Sequence, residues 1–135
     1  AAEIGVKAVS FVSDGESTCS PHLYDAIIHG ADNGLDMAVG TNGYMLDPAR
    51  LEDILPRLTY LRFNISAGER DRYAHIHGCK PACYDRVLDT IRRAVAIKNA
   101  KGLAVTLGLQ MVFMPDFADQ VLPLVVHPCT MIVPL

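Results

Sequence analysis

The sequence lacks the motifs and segments that mark several functional classes. It contains no Gly-x-Ser-x-Gly elbow, no Walker-type phosphate loop and no Gly-x-Gly-x-x-Gly fingerprint. No apolar run reaches the roughly 18 residues that a membrane-spanning helix requires. The first residues lack the basic stretch followed by an apolar one that is typical of signal peptides. We therefore expect neither a membrane span nor a familiar hydrolase or nucleotide site.

The net charge and the cysteine content indicate which binding partners and which cellular compartment to expect. The formal net charge is −3, and no block of basic residues occurs, so charge does not favour nucleic-acid binding. The four cysteines are scattered and do not impose a disulfide framework. A reducing cytoplasm is therefore the expected location.

Apolar segments typical of strands alternate along the chain with segments typical of helices. We predict strands at residues 7–13, 35–40, 59–65 and 103–113, the last one buried on both faces. The intervening helices are predicted at 21–32, from Asp47 onward, and at 69–76, 82–99 and 116–122. All connections between strands exceed ten residues, as parallel crossovers require. The pattern predicts one α/β domain over residues 1–135 with about four parallel β/α units, and a tail at 125–135 without an assigned structure.

Polar residues follow the first three predicted strands. The turn Asp14-Gly15-Glu16 ends the first strand, Asn42 follows the second, and Asn64 and Ser66 end the third. The carboxyl ends of parallel strands meet at one edge of a sheet, so these residues predict a ligand site there. Glu16 has an alternative role as a helix cap, and Asn42 has one as a plain turn residue.

The order of these motifs resembles the barrel interior of radical S-adenosylmethionine (radical SAM) enzymes. The resemblance covers roughly residues 5–123 and rests on five segments, namely 15–18, 41–43, 62–67, 72–78 and 105–111. It implies a partial (β/α) TIM-type barrel, since a complete barrel needs about 250 residues. It also implies S-adenosylmethionine as cofactor, and a [4Fe–4S] cluster that cleaves it reductively to a 5′-deoxyadenosyl radical, which abstracts hydrogen from a substrate.

The family's cluster motif, C-x3-C-x2-C, is absent from this sequence. The resemblance therefore implies the S-adenosylmethionine-binding core of a radical SAM iron–sulfur enzyme, as a fragment that is inactive alone. No catalytic residue is predicted.

The resemblance assigns cofactor-binding roles to individual residues. The turn at Asp14, Gly15 and Glu16 would receive the methionine ammonium group. The ribose or carboxylate would meet Asn64 and Ser66, and Arg72 could also meet the carboxylate. The adenine would lie near the strand that carries Leu107, Leu109 and Gln110. Asn42 completes the predicted set.

A second group of residues, His75, His77, Cys79 and Cys83, has the side-chain types of a transition-metal site. The spacing Cys79-x3-Cys83 matches the start of the cluster motif, but position 86, where the third cysteine would fall, is Arg86. The alternative is a surface loop with two histidines and two free thiols. We do not predict a metal site here.

Two other functional classes stay open. The chain could be a non-catalytic small-ligand-binding or regulatory half-barrel, or an unrelated α/β domain that uses Asn42 and the strand ends for another ligand. The expected partners are a small-molecule cofactor and an unidentified substrate. Half a barrel also leaves strand edges unpaired, and such edges favour self-association.

Overall fold

The structure, a computed structural model, describes residues 2–12 and 14–132. Its strands are β1 (Ala8–Phe11), β2 (Asp36–Thr41), β3 (Leu58–Asn64) and β4 (Thr106–Gln110). They form one sheet in the order β1-β2-β3-β4, and every neighbouring pair is parallel. The predicted α/β fold with four parallel units is confirmed. Ser13, at the end of the first predicted strand, lies outside the described residues.

Helices connect the strands and follow the last one. They are α1 (Leu23–Asp32), the single turn α2 (Leu51–Ile54), α3 (Arg70–His77), α4 (Pro81–Lys101) and α5 (Val121–Ile132). The longest, α4, begins with a proline in its first turn, where the missing N–H costs no hydrogen bond. It ends at Gly102, whose left-handed backbone satisfies the last carbonyl groups.

One face of the sheet packs against the helices and forms the hydrophobic core. Because side chains alternate along a strand, Leu61, Phe63 and Ile65 all lie on this face, and each is at most 1% exposed. They pack with apolar residues of the helices, among them Ile27 of α1 and Ile91 of α4. Burial of each such side chain contributes about 1.5–3 kcal/mol to the free energy of folding.

The other side of the sheet, which we call the open face, carries the alternate residues of the strands. At its centre Tyr60, Arg62 and Asn64 of β3 are only half-buried. Toward both edges the residues are more exposed, as Ser10 of β1 and Gln110 of β4 show. The sheet therefore offers one packed face and one face that is accessible to a ligand.

The fourth strand differs from its prediction. We expected residues 103–113 to be buried on both faces, but β4 spans only Thr106–Gln110 and its residues are half-buried or exposed. The reason is its position at the edge of the described sheet, where it has one neighbouring strand instead of two. The apolar residues that follow it, Val112, Phe113 and Met114, are exposed.

The last helix also differs from its prediction at 116–122. Residues Pro115–Gln120 form a 3-10 helix, and α5 continues through Pro123 to Ile132. Pro123 does not end the helix, because it lies in the first turn, where no intrahelical donor is lost. The tail that began at residue 125 therefore continues α5, and residues 133–135 lie outside the described part.

Gly68 determines where α5 packs. A methyl group added at Gly68 would overlap the backbone of Pro123 and Leu124, so only glycine permits this approach. The same residue is held from the other side by Tyr84, whose hydroxyl donates to the Gly68 carbonyl over 2.5 Å. Leu124 is buried against the core as a result.

Candidate functional site at the carboxyl edge of the sheet

Glu16 connects the loop after β1 to the end of β2. Its Oε1 accepts hydrogen bonds from the Thr18 hydroxyl at 2.7 Å, the Thr18 N–H at 3.1 Å and the Thr41 hydroxyl at 2.6 Å. Its Oε2 accepts from the Asn42 N–H at 2.7 Å. Glu16 therefore does cap a 3-10 turn, at Ser17–Cys19, and it also joins two strand ends.

These hydrogen bonds change the acidity of the carboxyl group. Burial by itself raises the pKa of Glu16, but the hydrogen bonds from Asn42, Thr41 and Thr18 together outweigh burial and lower the pKa below its ordinary value of 4.5. The side chain is therefore a carboxylate at neutral pH. It places a fixed negative charge beside the turn that precedes it.

The turn itself is accessible. Asp14 and Gly15 are exposed, and a methyl group added at Gly15 would meet no atom within 4 Å. Asn42 lies across from this turn and forms a local turn of its own, since its Oδ1 accepts from the Tyr44 N–H at 2.9 Å. The structure thus brings Asp14, Gly15, Glu16 and Asn42 to one edge, and Asn42 has a structural role there.

The two polar residues predicted at the end of the third strand have different environments. Asn64 is paired in register with Gln110 of β4 and lies on the open face. Ser66 lies beyond the strand and is 7% exposed. Its N–H donates to His77 Nε2 at 3.4 Å and its hydroxyl accepts from the Val112 N–H at 3.4 Å, so both groups have partners within the protein.

Two further residues of the predicted set lie away from the open face. Leu107 is paired with buried Leu61 and packs against the core, on the helix-covered face. Arg72 binds Asp119, with its Nη2 and Nε at 2.7 and 3.0 Å from the carboxylate, and also donates to the Asp116 carbonyl. The Asp119 carboxylate raises the pKa of Arg72 and anchors α3 to the segment before α5.

The sequence reasoning did not select two residues at the centre of the open face, Tyr60 and Arg62. Both lie on the same face of β3 as Asn64, which period-two alternation from Asn64 would have indicated. A second signal was available in Gly40 and Gly108. Isolated glycines inside strands often mark positions that another group approaches closely.

The histidine and cysteine segment forms part of a different cavity. Its volume is about 330 Å³, and it is lined by Asn42, Tyr44, Tyr73, His77, Cys79 and Cys83. Among the side chains that the structure describes, at residues 2–12 and 14–126, no group of three or more His, Cys, Asp or Glu is arranged to hold a metal ion. His75 does not line the cavity.

Burial determines the protonation states in this cavity. It lowers the pKa of His77, and it raises the pKa of Cys79, with a hydrogen bond between the two thiols as a second cause. Burial is also the main reason that the pKa of Tyr73 rises to about 12. These shifts favour the neutral forms of Tyr73, His77 and Cys79 at pH 7, so Cys79 is a poorly activated thiol.

Comparison with known proteins places this geometry in a recognised fold. No family model and no curated protein matches the sequence. Among solved structures, archaeal TYW1 is similar over 93% of this chain, with 22% identity and a TM-score of 0.70. A structure of TYW1 with a lysine–pyruvate adduct bound is similar over 93% of the chain, with 23% identity and a TM-score of 0.68.

The chain spans 39% and 38% of the length of those two solved chains. This chain has the fold of the part of TYW1 that it matches. The likeness shows a shared fold and leaves the ligand to be argued from the site. In the part of the chain that the structure describes, no helix is both long and apolar enough to cross a bilayer.

Proposed function

We propose that this chain forms the S-adenosylmethionine-binding part of a radical SAM barrel. The observation that carries the proposal is the Glu16 network, which joins the accessible Asp14-Gly15 turn to the end of β2 beside the open face. The fold shared with TYW1 supports it, because the equivalent architecture belongs to a radical SAM enzyme.

The open face has the properties that a polar cofactor requires. Gly40 of β2 and Gly108 of β4 leave room for the Arg62 and Tyr60 side chains, and the Arg62 Nε is buried without a hydrogen-bond partner in the described part of the chain. A ligand on the open face could supply the missing acceptor.

Individual residues would hold different parts of the cofactor. The carbonyl groups of the Asp14-Gly15 turn, beside the Glu16 carboxylate, would receive the ammonium group. Asn64 and Gln110, side by side in register, would meet the ribose hydroxyls. S-adenosylmethionine supplies a 5′-deoxyadenosyl radical when an iron–sulfur cluster reduces it.

The cluster itself does not fit the residues of this sequence. The cysteines at positions 19, 79, 83 and 129 do not have the C-x3-C-x2-C spacing, and the described residues contain no metal-holding group. The proposal for this chain is therefore binding and orientation of the cofactor, without a chemical step.

Titration with S-adenosylmethionine, followed by 1H–15N NMR, tests the proposal. We expect shifts at Gly15, Asn42 and Asn64, and we expect Gly15→Val to abolish them, because its side chain blocks close approach to the turn. Ala104→Val is the matched control, since it adds a branched side chain at an exposed position before β4, at the opposite edge of the sheet. Equal binding by both variants removes the turn from the site, and no binding by the parent chain contradicts the proposal.

The cavity of about 330 Å³ favours a second candidate, a non-catalytic small-ligand-binding domain. Its polar and aromatic lining, which contains no Asp, Glu, Lys or Arg, suits an uncharged molecule. The same titration distinguishes the two. Shifts confined to Tyr73, His77 and Cys79 support the second candidate, whereas shifts at Gly15 and Asn64 support the first.

A further inference from the structure

Arg62 differs from the other arginines of this protein. Of the eight in the sequence, six form ion pairs with carboxylates, namely Arg50, Arg57, Arg70, Arg72, Arg92 and Arg93. Arg86 lies over the Tyr44 ring, 4.5 Å from its centroid. Within the described residues, Arg62 has neither an ion pair nor a ring partner. It is also the residue whose Nε is buried without a hydrogen bond.

The sheet is built to accommodate this side chain. Arg62 is paired in register with Gly40 on one side and Gly108 on the other. A methyl group at Gly40 would lie 3.0 Å from Arg62 Nη2 and 2.9 Å from Val12, so the guanidinium lies over Gly40, toward β1. Tyr60 lies over Gly108 in the other direction. The two large side chains thus turn away from each other across the open face.

The direction of Arg62 brings its charge near the predicted ligand. Val12, beside the guanidinium, lies two residues before Asp14, where the Asp14-Gly15-Glu16 turn begins. A guanidinium has five donors and no acceptor, and a buried donor without a partner destabilises the folded chain. No described carboxylate forms an ion pair with Arg62, and its Nε has no hydrogen-bond partner among the described residues. The arrangement therefore suits an anion that comes from a ligand.

We propose that Arg62, lying over Gly40 on the open face, is the binding group for a carboxylate of the ligand. A carboxylate matches the planar fork of the guanidinium and can accept two parallel hydrogen bonds from it. This site deepens the proposed function, and it rests on that function only for the source of the carboxylate. The source is either S-adenosylmethionine or the second molecule that binds beside it.

A first experiment tests the anion site without S-adenosylmethionine. The Nε–H resonance of Arg62, assigned by its loss in Arg62→Lys, is followed while the full chain is titrated with sodium acetate. Sodium chloride at equal ionic strength is the control. We expect a saturable shift with acetate at Arg62 and none at the Nε–H of Arg86. A response no larger than that to chloride overturns the proposal.

A second experiment identifies the source of the carboxylate. The dissociation constants of S-adenosylmethionine and of its decarboxylated analogue are compared for the parent chain, Arg62→Gln and the charge-matched control Arg86→Gln. If the cofactor supplies the carboxylate, Arg62→Gln weakens S-adenosylmethionine by about tenfold to a hundredfold and leaves the analogue unchanged. If the second molecule supplies the carboxylate, Arg62→Gln leaves both dissociation constants unchanged, while acetate still shifts the Arg62 Nε–H resonance of the parent chain.

Two further outcomes separate this site from the proposed function. A chain that responds to acetate at Arg62 but does not bind S-adenosylmethionine retains the anion site and loses the proposed function. Gly40→Ala, which displaces the guanidinium without removing it, is expected to weaken the acetate response. An unchanged acetate response in a folded Gly40→Ala variant, as judged by its NMR spectrum, counts against the geometry on which the proposal stands.

Discussion

Phe63 and Arg62 are neighbours on β3, yet they belong to two different parts of the molecule. Phe63 points into the core, is 1% exposed, and packs among residues of the sheet and helices. Arg62 points to the open face, where glycines flank it and no described residue pairs with its charge. The comparison shows that one strand can supply both stability and a binding surface, because alternation separates the two roles.

The largest expected effect lies on the helix-covered face. Phe63→Ala is expected to lower the free energy of unfolding by about 3–5 kcal/mol, because it leaves a cavity in the core. Arg62→Gln, one residue away, is expected to leave this free energy unchanged or to raise it slightly, since it removes an unpaired charge. Urea denaturation followed by circular dichroism measures both.

If Arg62→Gln lowered the free energy of unfolding as much as Phe63→Ala does, the open face would be packed in solution. That result would contradict the contrast between the two faces. Phe63→Ala removes a large share of the stability of a small domain and could prevent folding. Phe63→Leu, which leaves a smaller cavity, then serves as the measurable variant.

The next largest effect on stability is expected at Glu16, at the carboxyl edge of the sheet. Glu16→Ala is expected to cost about 1–3 kcal/mol, because Thr41 and the Asn42 N–H lose their acceptor. The pH dependence has a definite sign. Since the folded-state pKa of Glu16 lies below its ordinary value of 4.5, its stabilisation is fully present above that pH and is lost as the pH falls through the folded-state value.

Urea denaturation of the parent chain and Glu16→Gln at several pH values between neutrality and strong acid checks this. The difference in stability between them is expected to shrink below pH 4.5, the ordinary value for Glu16. A difference that stays constant over that interval would mean that the carboxylate charge contributes nothing.

The exposed apolar residues that flank the open face lead to a prediction about association. We propose that the isolated chain self-associates through its unpaired strand edges and through Val112, Phe113 and Met114, which are exposed after β4. Phe113→Ser is expected to weaken this association several-fold without changing the fold. Sedimentation at increasing concentration measures it, and a parent chain that is monomeric throughout refutes the proposal.

The smallest expected effect is at Arg72, which the radical SAM resemblance had selected. Its ion pair with Asp119 is on the surface, where side-chain entropy and screening offset most of the attraction. Arg72→Gln is expected to change neither the melting temperature nor S-adenosylmethionine binding measurably. If Arg72→Gln no longer bound S-adenosylmethionine, Arg72 would belong to the binding site, and the case for Arg62 would be weaker.

Much of the fold followed from local patterns. The apolar segments, their alternation with helix-like segments and the length of each connection predicted four parallel strands, and all four lie within their predicted ranges or extend at most one residue beyond them. The proline and glycine signals placed the ends of α1 within about two residues, and the apolar stripe did the same for α4. The errors, at β4 and α5, arose where burial at the sheet edge and the packing of Gly68 against Pro123 decided the outcome.

The candidate site divides in the same way. The sequence by itself determined which residues end the strands, and therefore that Asp14, Gly15, Glu16 and Asn42 share one edge, because parallel strands align their carboxyl ends. Only the tertiary structure decided that Ser66 contacts His77 and that Arg72 pairs with Asp119. It also decided that Arg62 lies between two glycines and has no partner among the described residues. Hydrogen bonds and strand register join residues far apart in the chain, so their pairing depends on packing that no local pattern encodes.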